Sequence, residues 1–296
     1  MLTILAPAKV NLTLEVLAKR SDGFHEISSV VQTVNLCDRL RFRAGSGMSF
    51  HADMVGWQSE KSLVTRAAGL FRETTGCTKG ATIEIMKRIP LLSGLGGDSS
   101  DAAAVLCGLN LLWEIGLSRE GLLEMAAALG SDVSLFLYGG TARVSGRGEA
   151  VTPLPPLRNI CLVIMVPPVV RNQGKTGQLY DSLQPFHHTK GQATERLVSL
   201  INRHEIVLTD VIESLDNVFE KVAFACFEGL EKYREQFFEA GATNVHLAGS
   251  GPALFTLLED RGEAAKIHRR LRKQGLDAYP ADTSEGDILE ANKGVR

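Results

Sequence analysis

Pro90-Leu91-Leu92-Ser93-Gly94-Leu95-Gly96-Gly97-Asp98-Ser99-Ser100-Asp101-Ala102-Ala103-Ala104 is the stretch on which the reading of this 296-residue chain turns. Glycines without Cβ atoms let successive backbone N–H groups face inward as an anion-binding nest. Ser99-Ser100 falls where a helix begins, and a helix start adds unpaired amides and a dipole favourable to anions. The alanines allow that helix to pack closely beneath the loop. Together these features suit a di- or triphosphate. No Gly-Lys-Ser/Thr follows the glycines, so the loop is not a Walker A motif, and the spacing is not the G-x-G-x-x-G of dinucleotide folds.

Outward from the loop, Ala81–Lys87 alternates as a strand and Ser100–Trp113 has the apolar density of a buried helix. Strands are expected over residues 2–17, His25–Asn35, Asp38–Arg43, Val133–Tyr138 and Ala142–Val144. Helices are expected over Leu63–Thr74 and Ser118–Leu129, with Ser118 as N-cap. Pro153, Pro155 and Pro156 interrupt both patterns and place a boundary, giving domains 1–155 and 156–296. Beyond it come a strand at Ile160–Val166 and helices near Thr194–Asn202, Asp216–Phe224 and Leu230–Ala240. Two short strands flank Gly249-Ser250-Gly251, then a helix at Glu263–Gln274 and a strand near Asp277–Tyr279. The order of elements describes two α+β domains and no Rossmann series.

Hydrophobic residues make up 44% of the chain and charged residues 22%, as in ordinary globular proteins. A net charge of −2 offers no cationic excess for nucleic acid or membrane surfaces. Five scattered cysteines without a CxxC pair read as reduced thiols, each a small core residue, in a cytoplasmic protein. The N-terminal MLTILAPAKVNLTLEV reads as neither signal peptide nor membrane span. His187-His188 lacks neighbouring ligands at metal spacing and reads as a solvated loop, so the metal ligands stay unknown.

The glycine-rich loop resembles the phosphate loop of the GHMP kinases, and the GLGGxSSxAA form resembles the branch that phosphorylates a CDP-linked sugar alcohol. Ala6-Pro7-Ala8-Lys9-Val10-Asn11-Leu12, Asp22-Gly23-Phe24-His25-Glu26-Ile27, Leu129-Gly130-Ser131-Asp132-Val133 and Gly249-Ser250-Gly251-Pro252 are similar to further motifs of that family, in the same order. The resemblance implies a two-domain GHMP kinase fold, ribosomal-protein-S5-domain-2-like then ferredoxin-like α/β, with the active site in the interdomain cleft. It implies ATP with Mg2+, CDP-methylerythritol as the small-molecule substrate, and phosphorylation of its 2-hydroxyl in isoprenoid precursor synthesis. It assigns ATP binding to Pro90, Leu91, Leu92, Ser93, Gly94, Leu95, Gly96, Gly97, Asp98, Ser99 and Ser100.

Asp132 is the implied base and Lys9 its cationic partner, a pairing that suits phosphoryl transfer because the ammonium keeps the carboxylate ionised. Taken alone, Asp132 reads as a helix or turn cap. Lys9 lies in a strand apolar at both ends, where an unpaired ammonium would be costly. Substrate binding falls to Asn11 for a hydroxyl, and to Phe24, His25 and Tyr180 for a cytosine held between ring faces and read along its edge. Departures are Asp98 where the family usually has Gly, Ser62 for Asn, Ser134-Leu135 for Pro-Phe, and an irregular Asp216–Glu220 segment. Another GHMP kinase, acting on homoserine, mevalonate or a sugar, and a non-catalytic ATP-binding regulator are the alternatives. Monomer and homodimer both stay open.

Overall fold

The computed structural model describes residues 1–54, 57–170, 174–203 and 206–288. Its spine is β3 (His25–Gly45), a 21-residue strand. Along one edge β3 pairs antiparallel with β1 (Leu2–Asn11) and β2 (Thr13–Lys19). Along the other it pairs with β5 (Gly80–Met86) and β6 (Thr141–Gly146). Strands β4 (Met48–Ala52) and β7 (Ala150–Pro153) extend this sheet beyond β5 and β6. Residues 2–17 are thus two strands, parted where the Leu12 amide donates to Val30. The expected break after Asn35 is instead an irregularity: Pro7 faces Cys37 and Ala8 faces Val34, so Asn35 and Leu36 are extra residues in an otherwise continuous β3.

The helices α1 (Leu63–Thr75), α2 (Gly97–Trp113), α3 (Arg119–Leu129) and α4 (Val133–Tyr138) share a core with β1, β3 and β5. Ser118 caps α3 as expected, its side chain accepting from the Gly121 amide. Val133–Tyr138 is a helix rather than the expected strand. A short run with Val133, Leu135, Phe136 and Leu137 all buried has no period by which to choose, and packing against neighbouring helices settles it. In α2, Ala102, Ala103 and Ala104 are fully buried.

The second sheet has the order β10 (His246–Leu247), β11 (Leu254–Leu258), β8 (Cys161–Val166), β12 (Asp277–Asp282), all antiparallel. Both faces of β8 are covered: Leu162, Ile164 and Val166 join a core with Ala8, Val10 and Val30, while Val163 and Met165 join a second one. That explains its unbroken apolar run. Around it lie α5 (Lys175–Ser182), α6 (Gln192–Asn202), α7 (Leu208–Ser214), α8 (Glu220–Cys226), α9 (Leu230–Glu239) and α10 (Arg261–Lys273). The helix expected over Asp216–Phe224 begins only at Glu220. Before it, β9 (Asp216–Asn217) pairs parallel with β2, carrying the second half of the chain back to the first sheet. Among the described residues no helix is long and apolar enough to cross a membrane. All five cysteines are free; Cys107 and Cys161 are buried, Cys77 is half-buried against the helical core and Cys37 is half-buried, while Cys226 is exposed, so the core reading fails for Cys226.

Candidate active site

A cavity of about 870 Å3 opens between the glycine-rich loop, β1–β3, the start of α4 and the α5 and 249–250 segments. The loop runs from Pro90 to Gly96, with Leu92, Gly94 and Gly96 at φ of 53, 90 and 75°. Two glycines are required by close approach as well as by φ. A Cβ on Gly94 would lie 2.1 Å from the Ala248 carbonyl oxygen, and one on Gly96 would lie 2.8 Å from the Phe136 ring and 3.0 Å from Lys9 Cγ. The first helical bond of α2 runs from the Ser100 amide to the Gly96 carbonyl. The amides of Gly97, Asp98 and Ser99 therefore precede the helical ladder, the place where a helix start offers donors to an anion.

Nine of the eleven loop residues expected to bind ATP line this cavity; Leu95 and Ser100 are fully buried and do not. Leu95 serves through its carbonyl, which accepts from the Lys9 amide at 2.9 Å. Asp98 turns toward α1, where its carboxylate accepts from Ser62 Oγ at 2.9 Å and from the Leu63 amide at 3.4 Å. Two departures from the family pattern, Asp98 and Ser62, are thus bonded to each other. The carboxylate sits near the N-termini of both α1 and α2, where helix dipoles favour it.

Lys9 is 7% exposed, and its ammonium donates to Asn11 Oδ1 at 2.7 Å and lies 3.7 Å from Asp132 Oδ2. Asp132 precedes α4 but its side chain makes no capping bond, leaving the carboxylate in the cavity with its side chain 45% exposed. Asn11, expected to meet a substrate hydroxyl, gives its carbonyl to Lys9 and its amide to Ser29 Oγ at 2.9 Å. The Ser29 hydroxyl in turn donates to the Thr13 carbonyl. This chain of bonds orients the ammonium.

Across the cavity, His25 stacks directly on Tyr180, with ring centroids 4.6 Å apart and planes 15° apart. That stack leaves no room for a base between the two rings; a base must displace His25 or use another face. Burial, aided by Lys19 and His188, lowers the His25 pKa, so the ring is neutral at pH 7 with one donor and one acceptor nitrogen. Burial, with Asp132 nearby, pushes the Tyr180 phenol up to about 12. Phe24 is 54% exposed, so core packing does not account for it; the Arg147 guanidinium lies 4.9 Å from its ring centroid.

Sequence reasoning missed several parts of this site. Arg147 carries no motif signal of its own, and Lys175 lies in a segment without clear periodicity. Behind the loop, Lys87 is buried between Asp38 and Asp101 at 2.5 and 2.7 Å. Asp38 also accepts from the Ile89 amide at 2.8 Å, fixing the segment that leads from β5 into the loop. Burial pushes the Asp101 carboxyl well above its ordinary range, with Lys87 opposing and Asp38 reinforcing. Among the described residues no cluster of three His, Cys, Asp or Glu could hold a metal.

Residues 62–140 match the family GHMP kinases N terminal domain, and residues 198–277 match GHMP kinases C terminal. The chain is 49% identical over 283 residues to a 4-diphosphocytidyl-2-C-methyl-D-erythritol kinase of Dehalococcoides mccartyi, covering 96% of this chain and 98% of that one. It is 39% identical to the protein of that name from Pelotomaculum thermopropionicum, covering 92% and 94%. A crystal structure of 4-(cytidine 5'-diphospho)-2C-methyl-D-erythritol kinase superposes with a TM-score of 0.81 at 32% identity, covering 96% and 100% of the two chains. Homoserine kinase from Cytophaga hutchinsonii, with a TM-score of 0.74 at 21% identity and 97% and 95% coverage, shares the fold.

This chain belongs to the GHMP kinase family. It is an ATP-dependent small-molecule kinase with the two-domain fold of that family.

Proposed function

We propose that this chain transfers the γ-phosphoryl group of ATP to the 2-hydroxyl of 4-diphosphocytidyl-2-C-methyl-D-erythritol, in cytoplasmic isoprenoid precursor synthesis that bypasses mevalonate. The observation that carries this reading is one cavity holding Lys9, Asp132 and the phosphate loop on one side and the His25–Tyr180 pair on the other. Residues 1–155 form the ATP-binding and catalytic half, and residues 156–296 the half that closes the cavity. The relatives' names favour the same substrate.

In this reading the amides of Gly97–Ser99 and the helix dipole hold the phosphates. The substrate 2-hydroxyl attacks the γ-phosphorus; its oxygen forms the new O–P bond, the bond to the β-phosphate oxygen breaks, and ADP leaves. The hydroxyl proton passes to the Asp132 carboxylate, and the Lys9 ammonium steadies the charge spreading over the phosphoryl oxygens. Ser99 lines the cavity with a hydroxyl oxygen, a hard donor that fits Mg2+ held chiefly by nucleotide phosphates. Bound there, the ion would offset phosphate charge.

The test is coupled ADP release with MgATP and 4-diphosphocytidyl-2-C-methyl-D-erythritol, with homoserine and mevalonate in parallel. Turnover with the cytidyl alcohol alone is expected. Activity only on homoserine or mevalonate would keep the kinase and overturn the substrate.

A further inference from the structure

The two sides of the cavity are joined through a buried ammonium. Lys175, 7% exposed at the first position of α5, donates to the Ser250 carbonyl at 3.3 Å, to Ser250 Oγ at 3.1 Å and to the Gly251 carbonyl. Thr176 Oγ1 and Ser250 Oγ share a further hydrogen bond of 2.8 Å. The 248–251 loop gripped in this way is seated on the phosphate side. Ala248 and Gly251 press on Gly94, the Ala253 amide donates to the Ser93 carbonyl at 3.0 Å, and a Cβ on Gly249 would lie 3.0 Å from Lys9 Nζ. Five residues along α5 from Lys175, Tyr180 carries the His25 stack and meets Phe219 edge-on at 4.9 Å.

We propose that Lys175 is a positioning residue that couples occupation of the aromatic side to the placement of the phosphate loop. A base that rearranges His25 and Tyr180 moves α5. Three charge-assisted hydrogen bonds make the start of α5 and the 248–251 loop move as one body. That loop bears on Gly94 and Lys9, so nucleotide and base each bind better when the other is present. The coupling is reciprocal by linkage. The proposal rests on the cytidyl reading above.

The test is calorimetric titration of MgADP into the full chain with and without saturating cytidine monophosphate. In the parent protein cytidine monophosphate should tighten MgADP about fivefold. Lys175→Met should bring that ratio to one, the ratio being taken within each variant so that a change in MgADP affinity alone cancels. Lys175→Arg should restore most of the ratio. If Lys175→Met does not fold, Ser250→Ala removes the hydroxyl partner of both Lys175 and Thr176 and should lower the ratio partway. A ratio unchanged by Lys175→Met, or by Ser250→Ala where that variant stands in, overturns the proposal, as does a parent ratio of one. Failure of the parent to bind cytidine monophosphate at all defeats the cytidyl reading itself.

Discussion

From Gly94 to Gly97 the cavity wall is backbone, braced from behind by Phe136, by the 248–251 loop and by the Lys87 triad. Facing it, Phe24, His25, Tyr180 and Arg147 present side chains, and the central pair rests ring on ring. The phosphate side is thus formed before anything binds, because close packing against Phe136 and the Ala248 and Gly251 backbone leaves its glycines few of the conformations they would otherwise sample. The ring side is closed on itself, so a base placed between His25 and Tyr180 would have to part them. A fixed electrostatic cradle suits transfer chemistry, where preorganisation matters most, and adaptable rings suit recognition, where a stack exchanges one partner for another.

The largest effect should come at the chemistry. Asp132→Asn should lower kcat by about 10²–10⁴-fold, while MgADP affinity and thermal stability stay near the parent, because the half-exposed Asp132 makes no capping bond. Near-normal turnover would remove Asp132 as base. The bracing behind the loop should show next, as stability. Asp38→Asn takes a charge partner from buried Lys87 and should cost about 3 kcal/mol in urea unfolding. Asp101→Asn should cost about 1 kcal/mol or less, since burial already disfavours that carboxylate.

The pH dependence sharpens this. The folded pKa of Asp101 lies above the unfolded one, so the folded state holds more protons across that window, upward from 3.8. The contribution of Asp101 to stability therefore falls as pH rises through the window. Unfolding free energies from pH 4 to 7 should lose this downward component in Asp101→Asn, whereas an unchanged profile would show that Asp101 does not titrate in this way.

On the base side effects should be smaller and confined to one substrate. Tyr180→Ala should raise KM for the cytidyl alcohol about tenfold, the scale of one base stack, with KM for MgATP within twofold. Equal changes in both would erase the division between the sides. Arg147→Ala should raise KM for the cytidyl alcohol about threefold, the scale of an exposed cation–π contact.

What the sequence made legible follows the same division. The glycine loop and Lys9 stand out because local chain chemistry marks them, glycines at left-handed positions and an ammonium in an apolar strand, whereas Asp132, which alone reads as a cap, is singled out only by the family resemblance. Period-two and capping signals likewise located most strands and the helices at 63 and 119. The failures lie where tertiary contacts decide. Val133–Tyr138 is helical because its neighbours are helices. Asp216–Asn217 is a strand because β2 offers an edge, and the Asn217 side chain then donates to the Leu247 and Gly249 carbonyls. The Asp98–Ser62 bond, the Lys87 triad and the Lys175 grip join residues from 14 to 76 positions apart, and such pairs leave no mark in local pattern.

The division is tested most directly by initial-rate inhibition with cytidine monophosphate, varying MgATP and the cytidyl alcohol in turn. Inhibition competitive with the alcohol and not with MgATP is the predicted result, placing the base apart from the phosphate loop. Inhibition competitive with MgATP alone, or none at concentrations that saturate the alcohol site, would contradict it.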